Sequence, residues 1–281
     1  MQTLAHKIAF IEAPIQCILL SANNPDIESF EVFLVRRRGW PVPEASMMKF
    51  FNSDCVKVIS GMAAILTLIR KRMVCRHVTI GSHLGKLNRL LILLALILNY
   101  KVSLLDDGLY GIRFPNWVLS VGGLFRNLQW SSFFYRDFPH KTVSSYCLTS
   151  QHSRFDFKDT VFLVLSDYKG LGVSISREKS LIEMATGLAS AREMDLIVLP
   201  HRRGRFDLYR SMGLTLFSDE VLCFEHWYLE SSFENCMIIA YSSSIWQILE
   251  DNRMETVLID LGMNNSEWVL DRINVGSIIK I

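Results

Sequence analysis

The sequence predicts an α/β fold of two facing Rossmann-like domains with parallel sheets, the first over residues 1–153 and the second over 154–281. Three observations carry this expectation. Short apolar runs alternate with segments of helical periodicity, the pattern of βαβ units. The alternation weakens over residues 110–153 and then restarts, so two α/β units follow one another. Three apolar runs also end abruptly in reactive groups. Residues 101–109 (KVSLLDDGL) close on two carboxylates and a glycine, 195–203 (DLIVLPHRR) on a histidine and arginines, and 236–244 (CMIIAYSSS) on serines. Buried parallel strands deliver side chains in this way to their carboxyl edge, where open sheets place ligands. A single large doubly wound sheet is the alternative architecture.

Taken in order, residues 7–12 form the first expected strand, and a helix starts at Ile15 just after Pro14, since proline suits a helix start. Residues 30–36 and 56–60 are the next strands, the latter followed by Gly61 and a helix to Arg72. A strand at 77–81, a helix at 84–98 and a strand at 101–105 complete the first unit. The aromatic stretch 110–153, with Trp117, Trp130, Phe133, Phe134 and Tyr135, is read as crossover and linker. In the second unit a strand at 161–166 leads to a helix at 176–192, with Ser176 as its cap and Glu178 and Lys179 in its first turn. Further strands are expected at 196–199, 214–217, 221–224, 237–241 and 256–260.

Half of the 281 residues are hydrophobic, enough for a sizeable core, and a net charge of +2 gives no case for a nucleic-acid partner. Residues 36–38 and 70–72 are basic clusters, either solvated or in contact with anionic lipid or acceptor. The six cysteines lack Cys-x-x-Cys spacing and are expected to be buried thiols in a reducing compartment. The opening residues lack the pattern of a secretory signal. The nine-residue apolar run 90–98 is too short to cross a bilayer. A cytoplasmic protein is therefore expected, either free or peripheral on the inner membrane.

Among the chemical groups, Asp106 and Asp107 point to opposite sides of an extended segment, so one of them faces the ligand edge. Asp107, next to the turn-permitting Gly108, is the candidate general base. A solvated Asp-Gly turn is the structural alternative. His201, flanked by Arg202 and Arg203, can donate to a departing phosphate, or it is an ordinary loop histidine. Ser242, Ser243 and Ser244 combine hydroxyls with a helix start, suiting either an anion site or a cap. Glu225 either accepts hydrogen bonds from ribose hydroxyls or a base amine, or is an ordinary surface residue. Gly170 and Gly172 match a phosphate loop only loosely. No residues fall at metal-ligand spacing.

Taken in chain order, Asp106-Asp107-Gly108, His201-Arg202 and Ser242-Ser243-Ser244 resemble the acidic, histidine and serine motifs of bacterial sialyltransferases of the GT-B type. The likeness is closest to glycosyltransferase family 52, which includes lipooligosaccharide sialyltransferases, with the polysialyltransferases next. Ala13-Pro14-Ile15-Gln16 also looks like the family's first-strand ending, whereas Arg202 stands where many relatives carry proline. The resemblance implies transfer of sialic acid, or a related nonulosonic acid, from its CMP donor to a hydroxyl of a bacterial surface glycan. It implies inversion at the anomeric carbon and no cofactor or metal. Asp107 would be the base, and His201 with Ser243 or Ser244 would take the charge of the leaving CMP. Asp106, Gly108, Arg202, Glu225 and Ser242 would complete the substrate contacts. The competing functions are another GT-B enzyme using a UDP-sugar and a non-catalytic nucleotide-binding subunit of a capsule-assembly complex.

Overall fold

A computed structural model of the chain describes residues 7–23, 29–36, 47–48, 51, 55–82, 85–105, 128–130, 155–201, 203–217, 224–241, 254–260 and 277–280. The chain divides into two compact units, Met1–Thr149 and Ser150–Ile281.

The first unit contains β1 (Lys7–Ile11), α1 (Pro14–Asn23), β2 (Phe30–Arg36), β3 (Val56–Ser60), α2 (Gly61–Lys71), β4 (His77–Ile80), α3 (Lys86–Ile97), β5 (Lys101–Leu104) and β6 (Leu128–Trp130). Its six-stranded sheet has the order β3-β2-β1-β4-β5-β6, and every pair is parallel. The inner strands are apolar on both faces because both are covered. Ile8, Phe10, Phe33, Val35, Val78 and Ile80 share one core with Ala64 and Leu68 of α2 and Leu91, Ile92, Ala95 and Leu96 of α3. Ala9, Ile11, Val32 and Leu34 are buried on the opposite face. The helix ends follow capping rules. Pro14 opens α1, and the Ser60 hydroxyl accepts from the Ala63 amide at 3.2 Å to start α2. α3 closes on Asn99 with φ 61°, and the Tyr100 amide reaches back to the Ala95 carbonyl at 2.9 Å.

The second unit contains β7 (Phe155–Lys158), β8 (Thr160–Val164), α4 (Ile175–Ala191), β9 (Asp195–Leu199), α5 (Phe206–Ser211), α6 (Phe224–Leu229), β10 (Ser231–Glu234), β11 (Met237–Tyr241), β12 (Glu255–Asp260) and β13 (Ser277–Lys280). Its main sheet has the order β13-β12-β11-β8-β9, again all parallel. α4 and α5 cover one face through Leu181, Ile182, Ala185, Ala189 and Tyr209. On the other face Trp227 of α6 packs edge-on to Phe162 of β8, with ring centroids 4.8 Å apart. Beside the main sheet, β7 and β10 form a parallel pair. Each is joined to the next strand through a left-handed residue, Asp159 (φ 47°) and Asn235 (φ 51°). Asn235 Nδ2 donates to Asp159 Oδ1 at 2.6 Å, so the two kinks are locked side by side. Asp and Asn tolerate this conformation better than other non-glycine residues.

Several elements differ from expectation. Ser174, not Ser176, caps α4 by accepting from the Arg177 amide at 3.2 Å. Leu216 makes only an isolated parallel bridge to Val198 in place of a strand at 214–217. Phe224 begins a helix and does not end a strand; residues 221–223 lie outside the described residues. β6, β7, β10 and β13 are strands that local patterning did not predict. Among the described residues, no helix is long and apolar enough to cross a membrane. Cys17, Cys75 and Cys236 are buried thiols and Cys55 is a half-buried one, none of the four in a disulfide.

At the amino edge of the first sheet, Lys7, His77 and Lys101 stand in one cross-strand row. Burial, with Lys101 and Lys7 on either side, lowers the His77 pKa to about 4, and its Nε2 sits 2.7 Å from the Ser103 hydroxyl. The unfolded chain therefore binds the His77 proton near pH 6.5 and the folded chain only near pH 4. Stability from this group is complete above the higher value and is lost as pH falls between the two. Glu31 is pushed up by burial, but hydrogen bonds and charge from Lys57 and Lys71 hold it below its ordinary value. Its contribution is lost only at more acid pH. Calorimetry from pH 7 to pH 4 is expected to show the Tm of His77→Asn falling less steeply than that of the wild type.

Candidate functional site

In the first sheet the strand order reverses direction between β1 and β4, and the carboxyl ends of these two strands form its switch point. A buried polar floor lies there. Gln16 Oε1 accepts from the amides of Glu12 at 2.8 Å and Ala13 at 3.1 Å, which fixes the turn from β1 into α1. Asn88 of α3 donates from Nδ2 to Glu12 Oε2 at 2.9 Å. Glu12, Gln16, Ser82 and Asn88 are all buried. Gly81 leaves room for that carboxamide, since a Cβ there would stand 2.0 Å from Gln16 Oε1 and displace it. β5 ends on the same edge, where the Leu105 amide donates to the Ile80 carbonyl at 3.0 Å. The acidic motif Asp106, Asp107 and Gly108 comes next in the chain but lies outside the described residues.

The second sheet has its switch point between β8 and β11. If the Leu216 bridge beyond β9 is counted, the strand order matches that of the first sheet. β11 ends at Tyr241, the residue before the serine motif; Ser242, Ser243 and Ser244 lie outside the described residues, as does Arg202. Glu225 lies within α6.

His201 lies just beyond the carboxyl end of β9 and is half-buried. Its Nδ1 accepts from the Arg203 amide at 3.2 Å. An accepting Nδ1 leaves the proton of a neutral ring on Nε2, so the ring's donor is Nε2. The turn is tight: the Gly204 amide donates to the His201 carbonyl at 2.7 Å, and a Cβ at 204 would stand 2.9 Å from that carbonyl and from the Tyr209 hydroxyl.

Two arginines anchor this turn. Arg203 Nη1 donates to Asp167 Oδ2 at 3.2 Å, a half-exposed pair of small energetic weight. Arg205 Nη2 donates to the Val173 carbonyl at 2.8 Å, and its Nη1 pairs with Glu178 of α4. The Glu178 side chain is only 1% exposed and takes a second hydrogen bond, at 2.5 Å, from the Tyr209 hydroxyl. Burial and the Glu178 carboxylate, together with Tyr209 and Tyr241, push the neighbouring Tyr168 phenol well up, so it stays protonated. The Tyr168 hydroxyl has no partner among the described residues.

The loosely phosphate-loop-like segment after β8 is occupied with itself. Gly170 N–H donates to Asp167 Oδ1, Leu171 N–H to the Asp167 carbonyl, Gly172 N–H to Lys169 and Val173 N–H to Tyr168, at 2.8–3.2 Å. Amides committed to their own turn do not form an anion cradle. Sequence patterning missed Asp167, Glu178, Arg205 and Tyr209 as parts of the site. Asp167 alone carried a local signal, as an acid directly beyond a strand end. Among the described residues, no group of three or more His, Cys, Asp or Glu is arranged to hold a metal ion.

No protein-family profile matches the sequence, and no curated protein matches it. Among solved structures, the chain is similar to an α/β-galactoside α-2,3-sialyltransferase from the luminous marine bacterium Photobacterium phosphoreum. The TM-score is 0.54 at 12% identity, covering 98% of this chain and 97% of that one. The likeness establishes the fold, an α/β GT-B architecture with parallel sheets.

The buried Glu178–Arg205 pair generates a stability prediction. Glu178→Ala strands the largely buried guanidinium and is expected to cost about 3–5 kcal/mol in denaturant unfolding. The double change Glu178→Leu with Arg205→Leu leaves no unpaired charge and is expected to cost less than the single one.

Proposed function

We propose that this chain is an inverting glycosyltransferase that moves sialic acid, or a related nonulosonic acid, from its CMP donor to a sugar hydroxyl of a bacterial surface glycan. One observation carries the reading: a donor-tautomer histidine at the carboxyl edge of the second sheet, in a chain whose fold matches a sialyltransferase along nearly its whole length. The motif order supports it as well, since the acidic, histidine and serine motifs each follow a parallel strand.

In the proposed reaction the Asp107 carboxylate takes the proton of the acceptor hydroxyl as that oxygen attacks the anomeric carbon of the donor. The bond from that carbon to the phosphate oxygen breaks, and CMP departs with the electron pair. The His201 Nε2–H donates to the phosphate oxygen, and Ser243 or Ser244 shares the growing charge. A general base of this kind is worth about 10²–10⁴-fold, and a donor to developing charge about 10²–10³-fold. Asp106, Gly108, Arg202, Glu225 and Ser242 supply further substrate contacts. The acceptor belongs with the first unit and the nucleotide with the second. The chemistry calls for no cofactor beyond the activated sugar.

The test is a screen of CMP-activated nonulosonic acids against simple galactosides, with product analysis and calorimetric titration of CMP and UDP. Transfer from a CMP donor is expected; strong preference for UDP, or no CMP release above background, would defeat the proposal. Asp107→Ala is expected to reduce transfer by at least about 10²-fold while leaving CMP affinity within a few-fold in the titration. His201→Ala is expected to weaken both CMP binding and turnover, and a change confined to acceptor KM would remove His201 from the phosphate.

A further inference from the structure

α2 and α3 pack against each other on one face of the first sheet, with their inner sides in the core. Helices in that position ordinarily turn a polar side to water. Here the outer side is apolar. Met62, Leu66, Ile69 and Met73 succeed one another at spacings of four, three and four along α2 and its closing turn. Leu90, Leu93 and Ile97 do so at three and four along α3. All seven are exposed, up to 88% at Met73. With Val74, this segment holds eight of the ten exposed large apolar side chains among the described residues, so the exposure is one patch and not scatter.

The charge around it is one-sided. Residues 55–105 contain eight Lys and Arg and no Asp or Glu, in a chain whose totals are 30 and 28. Lys57 and Lys71 are engaged by Glu31. Arg70, Arg72, Arg76, Lys86 and Arg89 are exposed beside the stripes. Arg70 follows Leu66 by four residues, Lys86 precedes Leu90 by four and Arg89 precedes Leu93 by four, so these cations share the helix side of the apolar residues.

An apolar stripe rimmed by cations complements a surface that is anionic outside and hydrocarbon beneath. Self-pairing of the same face would set the cations against their own copies. We infer that the outer side of α2 and α3 docks on an anionic phospholipid bilayer. Met62, Leu66, Ile69, Leu90, Leu93 and Ile97 enter the headgroup layer, and the arginines and lysine meet lipid phosphates. This inference concerns attachment and stands independently of the proposed reaction.

The experiment is co-sedimentation of the full chain with vesicles of phosphatidylcholine, alone or mixed with phosphatidylglycerol, without donor or acceptor. Binding to the mixed vesicles is expected, with little to the neutral ones, and most of it is lost near 1 M salt, where the Debye length is about 3 Å. Arg70→Glu with Arg72→Glu is expected to weaken binding at least about tenfold, and Leu66→Glu with Leu93→Glu at least as much. Circular dichroism melting checks that both variants fold, and the wild-type lipid and salt dependence decides if one does not. Four outcomes would overturn the inference: no wild-type sedimentation, equal binding to both vesicle types, folded variants that bind as wild type, or a solution dimer that Leu66→Glu with Leu93→Glu disperses.

Discussion

Parallelism is the constraint on which the rest of this structure depends. In both large sheets every strand runs the same way. Each strand therefore hands its next residues to the same edge, and each return must cross a face of the sheet. Crossovers bury both faces, which leaves β8 and β11 buried along their whole length and almost entirely apolar. Polar side chains are thereby expelled from the strand bodies to the strand ends. His201 after β9, Asp167 after β8 and Glu12 after β1 all occupy such positions.

The histidine edge illustrates how such a position is made rigid. His201 sits on a four-residue turn that a larger residue at Gly204 would obstruct. The turn is held from one side by Arg203 on Asp167 and from the other by Arg205 on Glu178 and Val173. A carboxylate as buried as Glu178 persists only with its charge met, and here a guanidinium and a phenol meet it. The Asp167–Val173 turn spends its amides internally, so the adjoining segment is a brace. In the proposed reaction the leaving phosphate is then left to His201 and the residues after β11.

The first unit meets the opposite demand on its outer helices. Ala64 and Leu68, with Leu91, Ile92, Ala95 and Leu96, satisfy the core. Water alone would favour charge on the far side of both helices. Leucine, isoleucine and methionine there, on a segment with cations and no acid of its own, form the kind of exposed apolar patch that marks an interaction surface. The same helices thus secure the fold inwardly and, in our inference, attach it to lipid outwardly.

The strands buried on both faces were legible in the sequence, because such a strand carries a continuous apolar stretch: residues 8–11 of β1, 32–35 of β2, 161–164 of β8 and 237–241 of β11. The start of α1 was legible because proline acts locally, and His201 was legible because a strand end is visible as the point where the run stops. The short strands β7 (FDFK) and β10 (SSFE) were not. They are held by pairing with each other and by a lock between residues 159 and 235, partners far apart in the chain. Phe224 looked strand-like beside apolar neighbours, and its helix makes sense only with Trp227 packed beneath Phe162. Glu178 looked like an ordinary first-turn acid until Arg205 and Tyr209, some thirty residues on, closed over it. What the sequence by itself determined is which segments are buried and where each strand stops, since burial and chain direction are properties of consecutive residues. Which strand lies beside which, and which charge meets which, were decided only by tertiary structure, because those choices are made by contacts whose energy exists only after distant segments have come together.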